Sequence, residues 1–171
     1  PRFESFALAS AGDHTKGVAI MGVDPEKEDD MTNLSDKLVK GSYLKKDNRG
    51  VLVAEDLAKY LKLKVNDTII FIGQGYHGIS AADQYPVKGI IHMASPDLNG
   101  RVIYMNLNTC REFYSAYGML TSLVVRIDNK DKMYETMAHL KTILDKEKYE
   151  VMSWKEMLKE LNEDPSQLQT L

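Results

Sequence analysis

The chain has 171 residues, of which 43% are hydrophobic and 27% charged, and its net charge is −3. This composition is typical of a globular domain and excludes intrinsic disorder and collagen, while a single cysteine excludes a disulfide scaffold. The slightly acidic balance also argues against a nucleic-acid-binding domain, which usually carries a basic face. The length is that of one domain, or of one domain with a small subdomain inserted in it.

Apolar and β-branched runs predict seven strands, and helical periodicity predicts four helices. The strands fall at about residues 3–9, 17–21, 68–72, 87–93, 101–105, 120–127 and 149–152. The helices fall at about residues 54–61, 108–118, 130–146 and 153–161, with Asn108 as the cap of the second. Ser153 and Glu156 have the spacing of a capping box at the start of the last helix. Turn residues at 96–100 predict a hairpin-like connection between the fourth and fifth strands.

The order of these elements predicts an α+β fold. Strands with one helix occupy the middle of the chain, and a strand–helix–strand–helix run of βαβ length closes it. The chain therefore reads as an α+β layer into which a β-rich piece is inserted. Its first residue is Pro1 rather than Met, which indicates a fragment or a processed product. It contains neither a signal peptide nor an apolar run of the roughly 20 residues that a membrane helix needs.

One motif has the form G-x-G-x-x-G and follows a predicted strand. Its residues are Gly73, Gln74, Gly75, Tyr76, His77 and Gly78. Such glycines can bring a helix N-terminus close to a pyrophosphate, but only where a helix follows. Too few residues separate this motif from the next strand to hold that helix, so nucleotide binding is disfavoured. Two readings remain, a flexible hairpin loop and a partner-binding loop that exposes its aromatic residue.

No catalytic or metal-binding pattern stands out elsewhere. The four histidines (His14, His77, His92 and His139) are scattered and lack the spacing of a zinc site. Cys110 lies near a predicted helix N-terminus, which would lower its pKa, but a buried inert thiol is the better interpretation. The acidic run at residues 26–30 is expected to be a solvated face. We therefore predict neither an enzyme nor a metal site.

Several segments, taken in order, resemble the extracytoplasmic domain of FtsX-like ABC transporter permeases, the group that includes MacB, LolC and LolE. Each segment is weakly specific, and their order and spacing over most of the chain carry the resemblance. They are GVAIMGVDP at 17–25, LVKGSYL at 38–44, GVLVAEDLAKYL at 50–61, VNDTI at 65–69, PVKGII at 86–91, VIYM at 102–105 and YEVMSW at 149–154.

The resemblance implies a discontinuous architecture. A porter-like α/β subdomain would be formed by residues 1–45 plus 118–171, and a β-rich, sabre-like subdomain by residues 46–117. In the family, a further strand and helix normally precede the position of Pro1.

The resemblance also implies a role without catalysis. The domain would lie in the periplasm, between the first and second transmembrane helices of a permease of the bacterial inner membrane. ATP would be bound and hydrolysed by a cytoplasmic ABC ATPase, so that this domain needs no cofactor of its own. Its further partners would be a second permease copy or paralogue and a periplasmic lipoprotein, carrier or adaptor.

Within the family, lipoprotein release or export is our leading expectation for the function. Adaptor-coupled efflux of the MacB kind and regulation of a cell-wall hydrolase, as in FtsX, are the alternatives. In LolC-like members, a loop of the inserted subdomain captures a lipoprotein carrier, and the matching loop here starts at Gly73. We accordingly expect residues 73–79, ending at Ile79, to form a partner-binding loop. Outside the family, the competing readings are a ligand-binding module and an enzyme that uses the glycine motif.

Overall fold

The fold is described by a computed structural model covering residues 1–46, 48–153 and 155–156. It is α+β, as the sequence predicts. A long hairpin opens it, formed by β1 (Arg2–Ala11) and β2 (His14–Val23). Helix α1 (Pro25–Thr32) follows directly, because Asp24 accepts a hydrogen bond from the Lys27 amide and Pro25 suits the first helical position.

The strands of the described residues form one mixed sheet that closes on itself. Its further strands are β3 (Leu38–Gly41), β4 (Val51–Ala54), β5 (Thr68–Gln74), β6 (Ser80–Ile91) and β7 (Val102–Asn106). The strand order is β3-β6-β4-β7-β2-β1-β5. The twelve-residue strand β6 completes the ring, since its first half pairs with β5 and its second half with β4 and β3.

Short helices connect the strands and cover the ends of the ring. They are α2 (Glu55–Tyr60), α3 (Pro96–Arg101) and α4 (Leu107–Phe113); α5 (Met133–Ile143) comes later in the chain. Single 3-10 turns lie at Ser35–Lys37, Tyr76–Gly78 and Lys130–Lys132. An aromatic core lies within the closed sheet and comprises Phe3, Phe71, Tyr85, Phe113 and Tyr114. The centroids of neighbouring side-chain rings in this core are 4.7 to 6.2 Å apart.

The first five predicted strands are confirmed, and the last two are wrong. Residues 120–127 contain no strand and make only one isolated bridge, between Arg2 and Ser122. Residues 149–152 are also irregular. The closing βαβ run therefore does not form in the described chain. The short strands β3 and β4 were missed by the sequence analysis.

The connection between β6 and β7 is a helix rather than a hairpin, and the prediction was wrong here. Its Asn99 is buried, accepts a hydrogen bond from the Met93 amide at 2.9 Å and donates to Asp56 at 2.7 Å. These bonds hold α3 against α2. Strand β4 then lies between β6 and β7, so those two strands are not neighbours.

The predicted helices at 54–61 and 130–146 are confirmed as α2 and α5, each somewhat shorter. The helix around Cys110 forms as α4, but it begins after Asn106 instead of Asn108 and ends before Gly118. The capping box is confirmed: the Ser153 amide donates to Glu156 at 2.6 Å, and the Glu156 amide donates to Ser153 Oγ at 3.2 Å. The rest of the predicted last helix, residues 157–161 with Trp154, lies outside the described residues.

The acidic run is only partly solvated, in contrast to the prediction. Glu28 on α1 is buried and receives two hydrogen bonds from the Arg2 guanidinium, at 2.7 and 3.0 Å. Asp29 accepts hydrogen bonds from the amide and the hydroxyl of Ser35. Two of these carboxylates therefore fix α1 to the rest of the fold.

The chain divides into two compact units, within which residues contact one another more than they contact the other unit. Residues 1–124 hold the sheet, and the described part of residues 125–171 holds α5. This division differs from the predicted boundaries at residues 45/46 and 117/118. Strands from residues 1–45 and from residues 46–117 share one sheet. The separation into a porter-like and an inserted subdomain stays a prediction.

Candidate partner-binding loop

The predicted loop forms the tip of the β5–β6 hairpin. Gly73 and Gln74 end β5, and Gln74 is paired with Ser80 at the start of β6. The Gly75 amide donates to the Ile79 carbonyl at 2.6 Å, and a 3-10 turn at Tyr76–Gly78 closes the tip. His77 and Gly78 both have positive φ angles, 56° and 77°, and glycine adopts this conformation at the lowest cost. The seven predicted residues are thus brought together in one short turn.

The base of this loop is fixed to the core by Tyr114, which follows α4. The Tyr114 carbonyl accepts a hydrogen bond from the Tyr76 amide at 2.7 Å. The Tyr114 side chain is buried, and its hydroxyl donates to the Phe6 carbonyl at 3.0 Å. A Cβ on Gly75 would lie 2.7 Å from that same Tyr114 carbonyl oxygen. Glycine at position 75 is therefore what lets the hairpin approach α4 so closely.

The side chains at the tip are available to a partner. Tyr76 is 45% exposed and Ile79 is 55% exposed. The Tyr76 and His77 rings lie 3.9 Å apart, so they form one aromatic surface. An exposed tyrosine on a backbone that is already fixed loses little conformational entropy on binding, which is a property of binding hot spots.

The geometry does not suit a dinucleotide. After β5 the chain turns back into an antiparallel strand, whereas a pyrophosphate site requires a helix N-terminus at this point. Gly73 lies inside the strand, next to Phe113 and Tyr114, and not in a phosphate-binding loop. The six-residue motif is therefore a hairpin sequence that happens to match the nucleotide-binding pattern.

Outside the loop, the described residues contain no cluster of metal ligands. No group of three or more His, Cys, Asp or Glu side chains in the described ranges could hold a metal ion. His92 is bonded to Glu55 at 2.8 Å, and His14 lies against the Tyr60 ring. His77 is on the hairpin tip and His139 is on α5.

Cys110 is a buried free thiol, as predicted. It is completely buried on α4, and its Sγ points at the Phe3 carbonyl, 3.9 Å away. Burial raises the pKa of this thiol to about 12 and outweighs the lowering effects of the Arg111 charge and of a hydrogen bond with the Gly22 backbone.

We therefore expect Cys110 of the folded protein to react with a thiol reagent at pH 8 at least ~100-fold more slowly than in denaturant, because the thiolate is the reactive species. Labelling followed over time by mass spectrometry measures both rates. The Thr15→Cys variant, with a thiol on exposed strand β2, is the control and should label rapidly. Equal labelling of Cys110 and the introduced cysteine would show that Cys110 is accessible.

None of the helices within the described residues is long and apolar enough to cross a membrane.

Comparison with solved structures shows the same fold in a transport protein. The chain is similar to the crystal structure of the extracellular domain of the noncanonic ABC-type transporter YknZ from Gram-positive bacteria. The TM-score is 0.60 at 13% sequence identity, and the match covers 89% of this chain and 79% of that one. No protein-family model matches the sequence, and no curated protein matches it either. At this identity, the likeness shows the fold.

The sequence analysis missed the residue that fixes the loop. Tyr114 is separated from the hairpin by more than thirty residues, and its carbonyl, rather than its side chain, makes the contact. The only sequence signal was Gly75 itself, since a glycine inside a hairpin pattern indicates close approach of another part of the chain.

Proposed function

We propose that this chain is the extracytoplasmic domain of an ABC transporter permease, and that it handles a protein partner without catalysing a reaction. The observation that supports this best is the likeness to the extracellular domain of YknZ over most of both chains. The ordered FtsX-like segments of the sequence are independent of that comparison and favour the same class of protein.

A mechanical role suits the arrangement of the described residues. The glycine motif is a hairpin tip, the cysteine is buried, and the described residues contain no group of three or more His, Cys, Asp or Glu side chains that could hold a metal ion. A cytoplasmic ATPase would supply the energy through the transmembrane helices of the permease. The closed sheet would transmit the movement to the partner as a rigid body, because its strands are bonded on both sides around the ring.

Within this class, we propose the loop at residues 73–79 as the contact with a lipoprotein or its carrier on the outer side of the inner membrane. The exposed Tyr76 and Ile79 side chains and the fixed backbone support a protein contact. Adaptor-coupled efflux of the MacB kind and regulation of a cell-wall hydrolase use the same architecture and stay as alternatives.

The location is tested by labelling the full-length protein in its native cells. A His77→Cys variant, with any cysteines outside this domain replaced, places a thiol on the hairpin tip. We expect a maleimide that cannot cross the inner membrane to label it in intact cells, while Cys110 alone stays unlabelled. Labelling only after the inner membrane is permeabilised would overturn the extracytoplasmic location.

The role of the loop is tested by placing a photoreactive phenylalanine analogue at position 76 or, as a matched control, at position 60, where Tyr60 is 49% exposed. We expect a covalent adduct with one exported protein from position 76 only, weakened by Ile79→Ala. A lipoprotein or carrier in the adduct supports our leading proposal, whereas an adaptor or a hydrolase supports the corresponding alternative. Identical adducts from both positions, or none, would contradict the role of the loop without affecting the labelling result.

A further inference from the structure

One area of the outer face of the sheet carries no charged side chain, and Glu4, opposite Met21, lies at its boundary. It consists of the outward-pointing positions of four adjacent strands, within residues 15–21 of β2, 6–10 of β1, 68–74 of β5 and 80–86 of β6. Over a quarter of the chain is charged, yet every second residue in these ranges is apolar, small or an uncharged polar residue. Surfaces that only face water normally place charges on such exposed strand positions. We call this area the uncharged sheet face.

The centre of the uncharged sheet face is apolar and exposed. Leu8 and Ile72 are directly opposite each other on β1 and β5, and they are 50% and 51% exposed. Phe6 and Ile70, which come two residues before Leu8 and Ile72 in the chain, are 41% and 43% exposed. Scattered apolar side chains on a surface need no explanation, but a contiguous group of this kind marks an interaction site.

The apolar character of these positions is not a consequence of the core. Their sequence neighbours Ala7, Ala9 and Phe71 point inward and are buried. Strands that face the core on one side usually alternate between apolar and polar residues. Strands β1 and β5 are apolar on both sides in this region, which is typical of strands covered on both faces.

We propose that the uncharged sheet face pairs with the same face of a second copy of this chain. In a two-fold interface, each charge lies close to its own equivalent in the other copy, and like charges in such positions are unfavourable. A face without charges avoids this repulsion. Two twisted sheets can also pack face to face, with their apolar side chains interdigitated. This proposal does not depend on the transporter role.

The size of the face predicts a weak dimer. Four strands over about seven residues give a footprint of roughly 20 Å by 20 Å, or about 400 Å², from ordinary strand dimensions. A stable interface buries about 800 Å² on each partner. The pairing should therefore be reversible, with a Kd roughly in the micromolar to millimolar range.

Analytical ultracentrifugation of the 171-residue chain from about 10 µM to 1 mM tests the proposal, a range chosen to span the weak-dimer regime. We expect a monomer–dimer equilibrium that Leu8→Lys or Leu8→Glu alone weakens at least ~10-fold, because an unpaired charge would be buried. A mixture of the two variants should associate more strongly than either alone. Val39→Glu is the matched control, since Val39 is an exposed strand residue (47%) outside this face, and it should leave the equilibrium unchanged.

A second measurement avoids dependence on the charged variants. Because Cys110 is buried, Ala82→Cys adds an accessible thiol on the uncharged sheet face. We expect it to form a disulfide-linked dimer under mild oxidation much faster than Val39→Cys does. A wild-type chain that stays monomeric at 1 mM, equal weakening by Leu8→Lys and Val39→Glu, or equal cross-linking of the two cysteine variants would overturn the proposal. A monomeric result would assign the face to a different partner.

Discussion

Replacing Gly22 by alanine is expected to destabilise the fold by about 2–3 kcal/mol. Gly22 lies on β2, and a Cβ at this position would be 2.5 Å from the Cβ and 2.8 Å from the Sγ of Cys110. It would also lie 3.2 Å from the Phe3 carbonyl oxygen. Strand β2 is held between β1 and β7, so it cannot move away, and α4 has to shift instead. Urea unfolding at equilibrium measures the loss.

The same contact predicts a rescue. Cys110→Gly removes the Cβ and the sulfur that the new methyl group would meet, so the double variant should be more stable than the sum of the two single losses indicates. Cys110→Gly alone should be destabilising, because it leaves a cavity and places a glycine in a helix. A favourable coupling between the two substitutions is therefore expected in a double-mutant cycle.

Gly17→Ala is the matched control for Gly22→Ala. Gly17 is on the same strand, and nothing lies within 4 Å of the position that its Cβ would take. Alanine there should change stability by less than ~0.5 kcal/mol, as substitutions at open surface positions usually do. Similar losses at positions 17 and 22 would mean that glycine is required along β2 for a reason other than the contact with Cys110.

Gly22 also shows what could be predicted from the sequence and what could not. The strand predicted at residues 17–21 formed as β2, which ends close to that prediction, and Asp24 and Pro25 start α1. That Gly22 faces Cys110, 88 positions later in the chain, depends on the parallel pairing of β2 with β7 and on the helix that follows β7. Local patterns contain no information on that pairing. The elements were therefore largely predictable, but their contacts were not.

The incorrect strand at residues 120–127 has a similar cause. Its two valines and its isoleucine have high β propensity, yet Leu123 and Val125 are 67% and 57% exposed and pair with no strand. Propensity in a strand reflects packing against neighbours more than a preference of the backbone itself. Strand β5 pairs only with residues 8–10 of β1, and the segment reaches the start of that edge through the single bridge between Arg2 and Ser122, so the rest of it has no strand to pack against.

The candidate loop was easier to predict than its support. Glycines and an aromatic residue between two β-rich runs are local signals, and they correctly indicated a hairpin tip. The uncharged sheet face was missed, because its residues become neighbours only when β1 pairs with β5.

Replacing Arg2 by methionine is expected to cost about 3 kcal/mol, because it leaves the Glu28 carboxylate buried without its partner. The Arg2 guanidinium holds both carboxylate oxygens, and the Glu28 side chain is only 6% exposed. The Tyr104 ring lies in the same region, and burial, followed by the charge of Glu28, raises the pKa of its hydroxyl to about 12. Chemical denaturation at pH 7 measures the change in stability.

The sign of the effect in the double variant distinguishes a specific pair from general loss of packing. In Arg2→Met with Glu28→Leu, both charges are replaced by apolar groups of similar size, so we expect the double variant to be more stable than Arg2→Met alone. Lys59→Met is the control, since it breaks the exposed ion pairs of Lys59 with Glu55 and Asp56 and should change stability little. If the double variant is instead the least stable of the set, the contacts made by the Arg2 stem, and not the buried charge of Glu28, hold β1 to α1.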